Sequence, residues 1–96
     1  MKKEESPIRI AKENEVYGIV DSWYGKDRVI VICDDGVNRI CRISGRVIKK
    51  FWLKVGDVVL VRIWPFDKSK GDVVHVYTFS EAQWLKKNGY IKNLNF

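Results

Sequence analysis

Long apolar runs are missing from these 96 residues. Stretches such as Val29–Cys33 and Val58–Val61 fall far short of the roughly 20 residues that a bilayer-spanning helix needs, which excludes an integral membrane protein of that kind. Met1–Glu5 is charged and no apolar stretch with a cleavage-type ending follows it, so no secretory leader is expected and the cytoplasm is the expected compartment. Metal ligands are equally scarce. Cys33 and Cys41 lie eight apart, which matches no common zinc spacing, and the single histidine, His75, cannot complete a four-ligand site. No metal is expected, and the thiols read as reduced and structural. A glycine-rich phosphate loop is also absent, so no cofactor is expected. Asp34 and Asp35 are adjacent carboxylates, but a turn accounts for them without acid–base work. With His75 inside a strand and both thiols in strands, nothing here builds an enzyme.

The last deficit is local. Between Arg39 and Lys54 there is no Asp or Glu, while Arg39, Arg42, Arg46, Lys49, Lys50 and Lys54 all fall in that segment. They account for the whole formal charge of +6, because the rest of the chain carries equal numbers of each sign. What remains is ordinary for a globular chain: 46% hydrophobic and 31% charged residues, at a length suited to one domain with one core.

Along the chain, Met1–Lys12 lacks periodicity and reads as a mobile arm, within an arm of 1–14 as a whole. Glu15–Trp23 is β-branched and aromatic, with Gly18 inside it as a mark of a bend or bulge. Arg28–Cys33 is a second strand and Asp35–Gly36 a hairpin turn, followed by a third strand from Val37 to Ile43. A two-residue turn sets Cys33 opposite Asn38 and a three-residue turn sets it opposite Arg39; in neither does Cys33 face Cys41. Ser44–Lys54 carries apolar residues at helical spacing and reads as a short helix or structured loop. Val58–Trp64 is a fourth strand stopped by Pro65, Asp67–Asp72 a polar loop, and Val73–Phe79 a fifth strand. Ser80-x-x-Gln83 reads as a capping box opening a helix that Gly89 ends, with Trp84 and Leu85 anchoring it.

Five short strands with an insert between the third and fourth favour an all-β fold, a small Greek-key barrel of the oligonucleotide-binding type spanning 15–79, with a helix and tail over 80–96. An SH3-like barrel is the alternative, though it has only a tight turn where this chain places Ser44–Lys54. Phosphate recognition needs guanidinium and ammonium groups that approach a backbone together, and RNA recognition adds planar side chains for unstacked bases. Both occur in the insert, where Arg46, Lys49 and Lys50 adjoin Phe51 and Trp52. Those two aromatics alternatively plug one end of the barrel. Lys26 beside Trp23 and Tyr24, and Trp64 after Arg62, are secondary candidates for RNA contact.

The run Asp35–Trp52, DGVNRICRISGRVIKKFW, resembles the signature of the archaeal and eukaryotic translation initiation factor 1A family. Gly56–Val61, the Trp64–Asp72 segment, Val73–Thr78 and the helix around Glu81–Gly89 are similar to that family in order and spacing. The resemblance implies an S1-like barrel that binds small-subunit ribosomal RNA near the decoding A site without catalysis and aids start-codon selection with other initiation factors. It carries the RNA-binding role onto Arg39, Arg42, Arg46, Lys49, Lys50 and Trp52. Ile48 departs from the family, which commonly has a basic residue there. The lack of a long acidic C-terminal tail matches the shorter archaeal form. A general single-strand RNA chaperone of the cold-shock or S1 kind, or a basic adaptor for an acidic protein, are the competing readings. Without coiled-coil heptads, a monomer is expected.

Overall fold

The computed structural model describes residues 8–44, 46–47 and 52–96. Five strands close into a barrel: β1 (Glu15–Trp23), β2 (Arg28–Cys33), β3 (Asn38–Ile43), β4 (Val58–Trp64) and β5 (Asp67–Val76), in the order β1-β2-β3-β5-β4. Only β3 and β5 run parallel; all other neighbours are antiparallel. This is the five-stranded oligonucleotide-binding topology, and closure leaves no sheet edge open to pairing with another chain.

Period-two alternation puts Val29, Val31 and Cys33 of β2, and Arg39, Cys41 and Ile43 of β3, on the inside, where they meet Val20, Val59, Val61, Val73 and Val76. Val47 and Leu53, from either side of the insert, join this core and stop one end of the barrel. Trp52 does not; it is 79% exposed. Of the expected insert helix over Ser44–Lys54, only residues 46 and 47 are helical among the described residues and 52–54 are not; residues 45 and 48–51, and with them the alternative plugging role of Phe51, lie outside the described residues.

A second apolar cluster forms on the outer face of β1 and β4, where Tyr17, Val58 and Leu60 meet the helix α1 (Phe79–Lys87) and the tail through Ala82, Leu85, Ile91 and Leu94. Ile8, Ile10 and Ala11 pack there too. The described end of the expected mobile arm is therefore docked: the Ala11 N–H donates to Tyr17 Oη at 2.8 Å, and Arg9 holds Glu15 through two hydrogen bonds. Asp34 receives the Lys92 and Asn93 N–H groups and ties the tail to the β2–β3 loop.

Five local expectations change. The β2–β3 loop has three residues, Asp34–Gly36, so Cys33 faces Val37 rather than Asn38 or Arg39. A Gly36 N–H to Cys33 C=O bond at 3.0 Å and a φ of 89° at Gly36 give the turn-plus-bulge geometry that favours glycine there. Cys41 lies opposite Val29, and both thiols are free and buried. The bulge in β1 sits between Val20 and Ser22 rather than at Gly18, where a Cβ would collide with Val31. The polar segment Asp67–Asp72 is strand, joined to β4 by Pro65 and Phe66 alone, because both faces of this outlying hairpin meet water and hide the alternation. Finally α1 is capped by Thr78, whose Oγ1 accepts from the Glu81 N–H at 3.1 Å while Glu81 Oε1 accepts from the Thr78 N–H at 2.9 Å. Tyr77 and Ala82 then staple the start of the helix in one cluster, which a cap at Ser80 would forgo. Leu85 anchors the helix, whereas Trp84 lies 42% exposed and stacks on Tyr90.

Candidate nucleic-acid interface

In barrels of this topology the β2–β3 face and the β1–β2 and β4–β5 loops carry oligonucleotide contacts. Here the outward positions of β2 and β3 pair as Arg28 with Arg42, Ile30 with Ile40 and Ile32 with Asn38. The first of these pairs continues across the barrel: Arg42 is in register with Asp72, Asp72 with Arg62, and Arg62 with Glu15. One row on five strands thus reads Arg, Arg, Asp, Arg, Glu. Like charges directly opposite each other are unfavourable, and each guanidinium has a carboxylate partner: Arg28 meets Asp27 at 3.0 Å, Arg42 meets Asp72 at 3.0 Å, and Arg62 meets Glu15 at 3.4 Å, sharing it with Arg9. Burial acts to raise the Glu15 carboxyl, but hydrogen bonds from Arg9, the Lys12 N–H and Arg62 hold it below the usual carboxylate range.

Arg42 lies over the Trp64 ring, 5.4 Å from its centroid, and Trp64 packs against Phe66 at 5.4 Å. Phe66 tips the β4–β5 turn and is 82% exposed. Beside this cluster a cavity of about 500 Å³ is lined by Arg42, Ser44, Arg46, Val47, Asp72 and Val73. Arg46 is exposed at its rim. Lys54 is exposed, its ammonium 4.0 Å from Asp57, and Lys26 is exposed in the β1–β2 loop. Trp52 holds an unusual backbone, φ 51°, in the left-handed region that a bulky residue rarely adopts. Lys49 and Lys50 lie outside the described residues.

Arg39 requires a correction. It points inward and is 3% exposed, its Nε donates to the Lys68 carbonyl at 2.7 Å, and its two terminal nitrogens grip both oxygens of Asp35 at 2.9 Å. The guanidinium beside it holds the Asp35 carboxyl below its ordinary value, with burial opposing. A side chain so enclosed has no face for a phosphate; Arg39 is a structural clamp between the β2–β3 loop and β5. Burial likewise pushes the Cys33 thiol up and the Cys41 thiol up to about 12, so neither is a thiolate at neutral pH. His75 sits edge-on to Tyr77 at 4.6 Å.

Sequence reasoning passed over Phe66 and Arg28. An aromatic at the apex of a two-residue turn has no core within reach, which was the available signal for Phe66. For Arg28 it was strand parity, since Arg28 shares the outward face of β2 with Ile30 and Ile32.

A closed β1-β2-β3-β5-β4 barrel places the protein in the S1-like oligonucleotide-binding fold class, with exposed cations and aromatic faces gathered on one side of it. The family described as translation initiation factor 1A / IF-1 matches residues 3–95, and the chain belongs to it. Translation initiation factor 1A of Picrophilus torridus is 43% identical over 89 residues, covering 88% of this chain and 82% of the relative. That of Archaeoglobus fulgidus is 41% identical over 96 residues, covering 96% and 99%. That of Methanopyrus kandleri is 45% identical over 82 residues, covering 85% and 74%. The family is non-enzymatic, and translation initiation is the process it serves. None of the helices among the described residues is long and apolar enough to cross a membrane.

Proposed function

We propose that this protein binds the small ribosomal subunit near the decoding A site through ribosomal RNA, and there aids start-codon selection together with other initiation factors. It acts as a monomer in the cytoplasm. Phosphates meet Arg42, Arg46 and Lys54, joined by Lys49, Lys50, Lys26 and Arg62, while Trp52, Trp64 and Phe66 offer ring faces to unstacked bases. The observation that carries this reading is a cavity on the oligonucleotide side of the barrel lined by Arg42 and Arg46, with Trp64 stacked under Arg42 and Phe66 against Trp64 beside it. Cations that converge on a concave surface neutralise several phosphates at once, and stacked rings accept bases of any sequence.

The test is binding of the full chain to purified small subunits, with and without ligands of the A site, alongside an unrelated single-stranded RNA. The expected result is a preference for the subunit and displacement by A-site ligands. Equal affinity for unrelated RNA would assign a general chaperone instead. Binding to acidic proteins that survives nuclease, without RNA affinity, would assign an adaptor.

A further inference from the structure

The row Arg28, Arg42, Asp72, Arg62 sets one carboxylate among cations, in the middle of the surface assigned above to phosphates. Asp72 Oδ1 accepts from Arg42 Nε at 3.0 Å and Oδ2 from Arg42 Nη2 at 3.4 Å. Such a two-pronged arrangement is the one by which a guanidinium takes a phosphate. Asp72 therefore occupies the donors that an incoming phosphate would use. It also lines the cavity with Arg42 and Arg46, so a phosphate entering there meets a negative wall as well as positive ones.

We propose that Asp72 is an intramolecular competitor for phosphate at Arg42, a specificity-determining residue that sets the surface against generic single strands. The inference rests on the nucleic-acid reading given above. Arg42 and Asp72 are 54% and 30% exposed at their side chains, so the pair is screened and exchangeable rather than locked. An extended, flexible strand, which holds no hydroxyl or amino donor fixed beside the phosphate, must displace the carboxylate and then leave it facing its own charge. A folded RNA that brings a phosphate to Arg42 and, next to it, a hydroxyl or amino donor to Asp72 satisfies both groups. Arg42, released from Asp72, remains seated over Trp64, where the ring supports the guanidinium in either state. The discriminating ligand is thus structured RNA with a splayed base beside a 2′-hydroxyl, not an extended strand.

A double-mutant cycle of Asp72→Asn and Arg42→Gln tests this, using a 12-nucleotide oligouridylate and purified small subunits as the two ligands. Asn keeps the size of the side chain, and circular dichroism of each variant monitors the fold; Asp72→Ser provides a second uncharged variant. Asp72→Asn is expected to tighten oligouridylate binding about two- to fivefold, the range of an exposed ion pair. Small-subunit binding should gain less, so the specificity ratio falls, and the gain should vanish in the Arg42→Gln background. A gain that persists without Arg42 would mean that net charge alone acts, and weaker oligouridylate binding by Asp72→Asn would mean that the carboxylate helps rather than competes; either overturns the proposal. If the wild type fails to bind small subunits at all, the nucleic-acid reading itself falls and takes this inference with it.

Discussion

Arg39 and Arg42 are separated by two residues on one strand and have opposite fates. Odd positions of β3 face inward and even positions outward, so Arg39 becomes a buried clamp and Arg42 an exposed cation on an aromatic ring. Charge counted along the chain could not distinguish them; strand parity could, since Cys41 and Ile43 share the inward face with Arg39. Trp52 is the other residue whose role is visible only in three dimensions. Its side chain is exposed and its backbone is left-handed, so the fold holds an aromatic ring in water at a cost of about 1–3 kcal/mol in backbone strain. Trp52→Gly relieves that strain but loosens the unfolded chain, and the two effects nearly cancel. Thermal unfolding should shift by less than about 1 kcal/mol, whereas small-subunit affinity, read by a sedimentation or fluorescence titration, should drop by roughly 5- to 150-fold as one base-stacking contact is lost. A variant that is folded but clearly less stable, and that binds normally, would reverse these roles.

At the scale of elements, β1, β2 and β4 were legible to the residue, because each is a run of β-branched and aromatic residues bounded by turn residues or proline. The β4–β5 hairpin was not, since a ribbon wet on both faces leaves no such run. Helix α1 was legible as a helix but misplaced at its start. Thr78-x-x-Glu81 and Ser80-x-x-Gln83 both satisfy the capping pattern, and only the packing of Tyr77 on the barrel chooses between them. The clamp of Asp35, Arg39 and the Lys68 carbonyl joins the β2–β3 loop to β5, and its stability depends on pH. The Asp35 carboxyl titrates lower in the folded chain than in the unfolded one. Its contribution is thus complete above the unfolded value near pH 4 and is lost as the pH falls through the lower folded value. Asp35→Asn leaves Arg39 buried without a counter-charge and should cost about 3 kcal/mol near neutrality. The gap to the wild type should close as the solution is acidified below about pH 4. Urea unfolding at a series of pH values measures this; a gap that stays constant in acid would show that Asp35 acts by shape alone.

For the whole molecule, the barrel divides its outer surface by function. The β1–β4 side is covered by the docked N-terminal segment, α1 and the tail, and becomes a second core. The β2–β3–β5 side stays open and carries Arg28, Arg42, Arg46, Trp64 and Phe66. The basic segment that was plain in the sequence marks this open side, yet the site also draws on β2 and the β4–β5 turn, far away along the chain, and no local pattern connects those segments. The most direct measurement of the central claim is the salt dependence of small-subunit affinity for the wild type and for a variant with Arg42, Arg46 and Lys54 all changed to Gln. With four to six phosphates neutralised, the wild-type log–log slope should be about −3 to −4, a loss of roughly 60- to 250-fold between about 50 and 200 mM salt, and the variant's slope should be shallower by about 2. Equal slopes in the two folded proteins would contradict the account, because those three cations would then meet no phosphate.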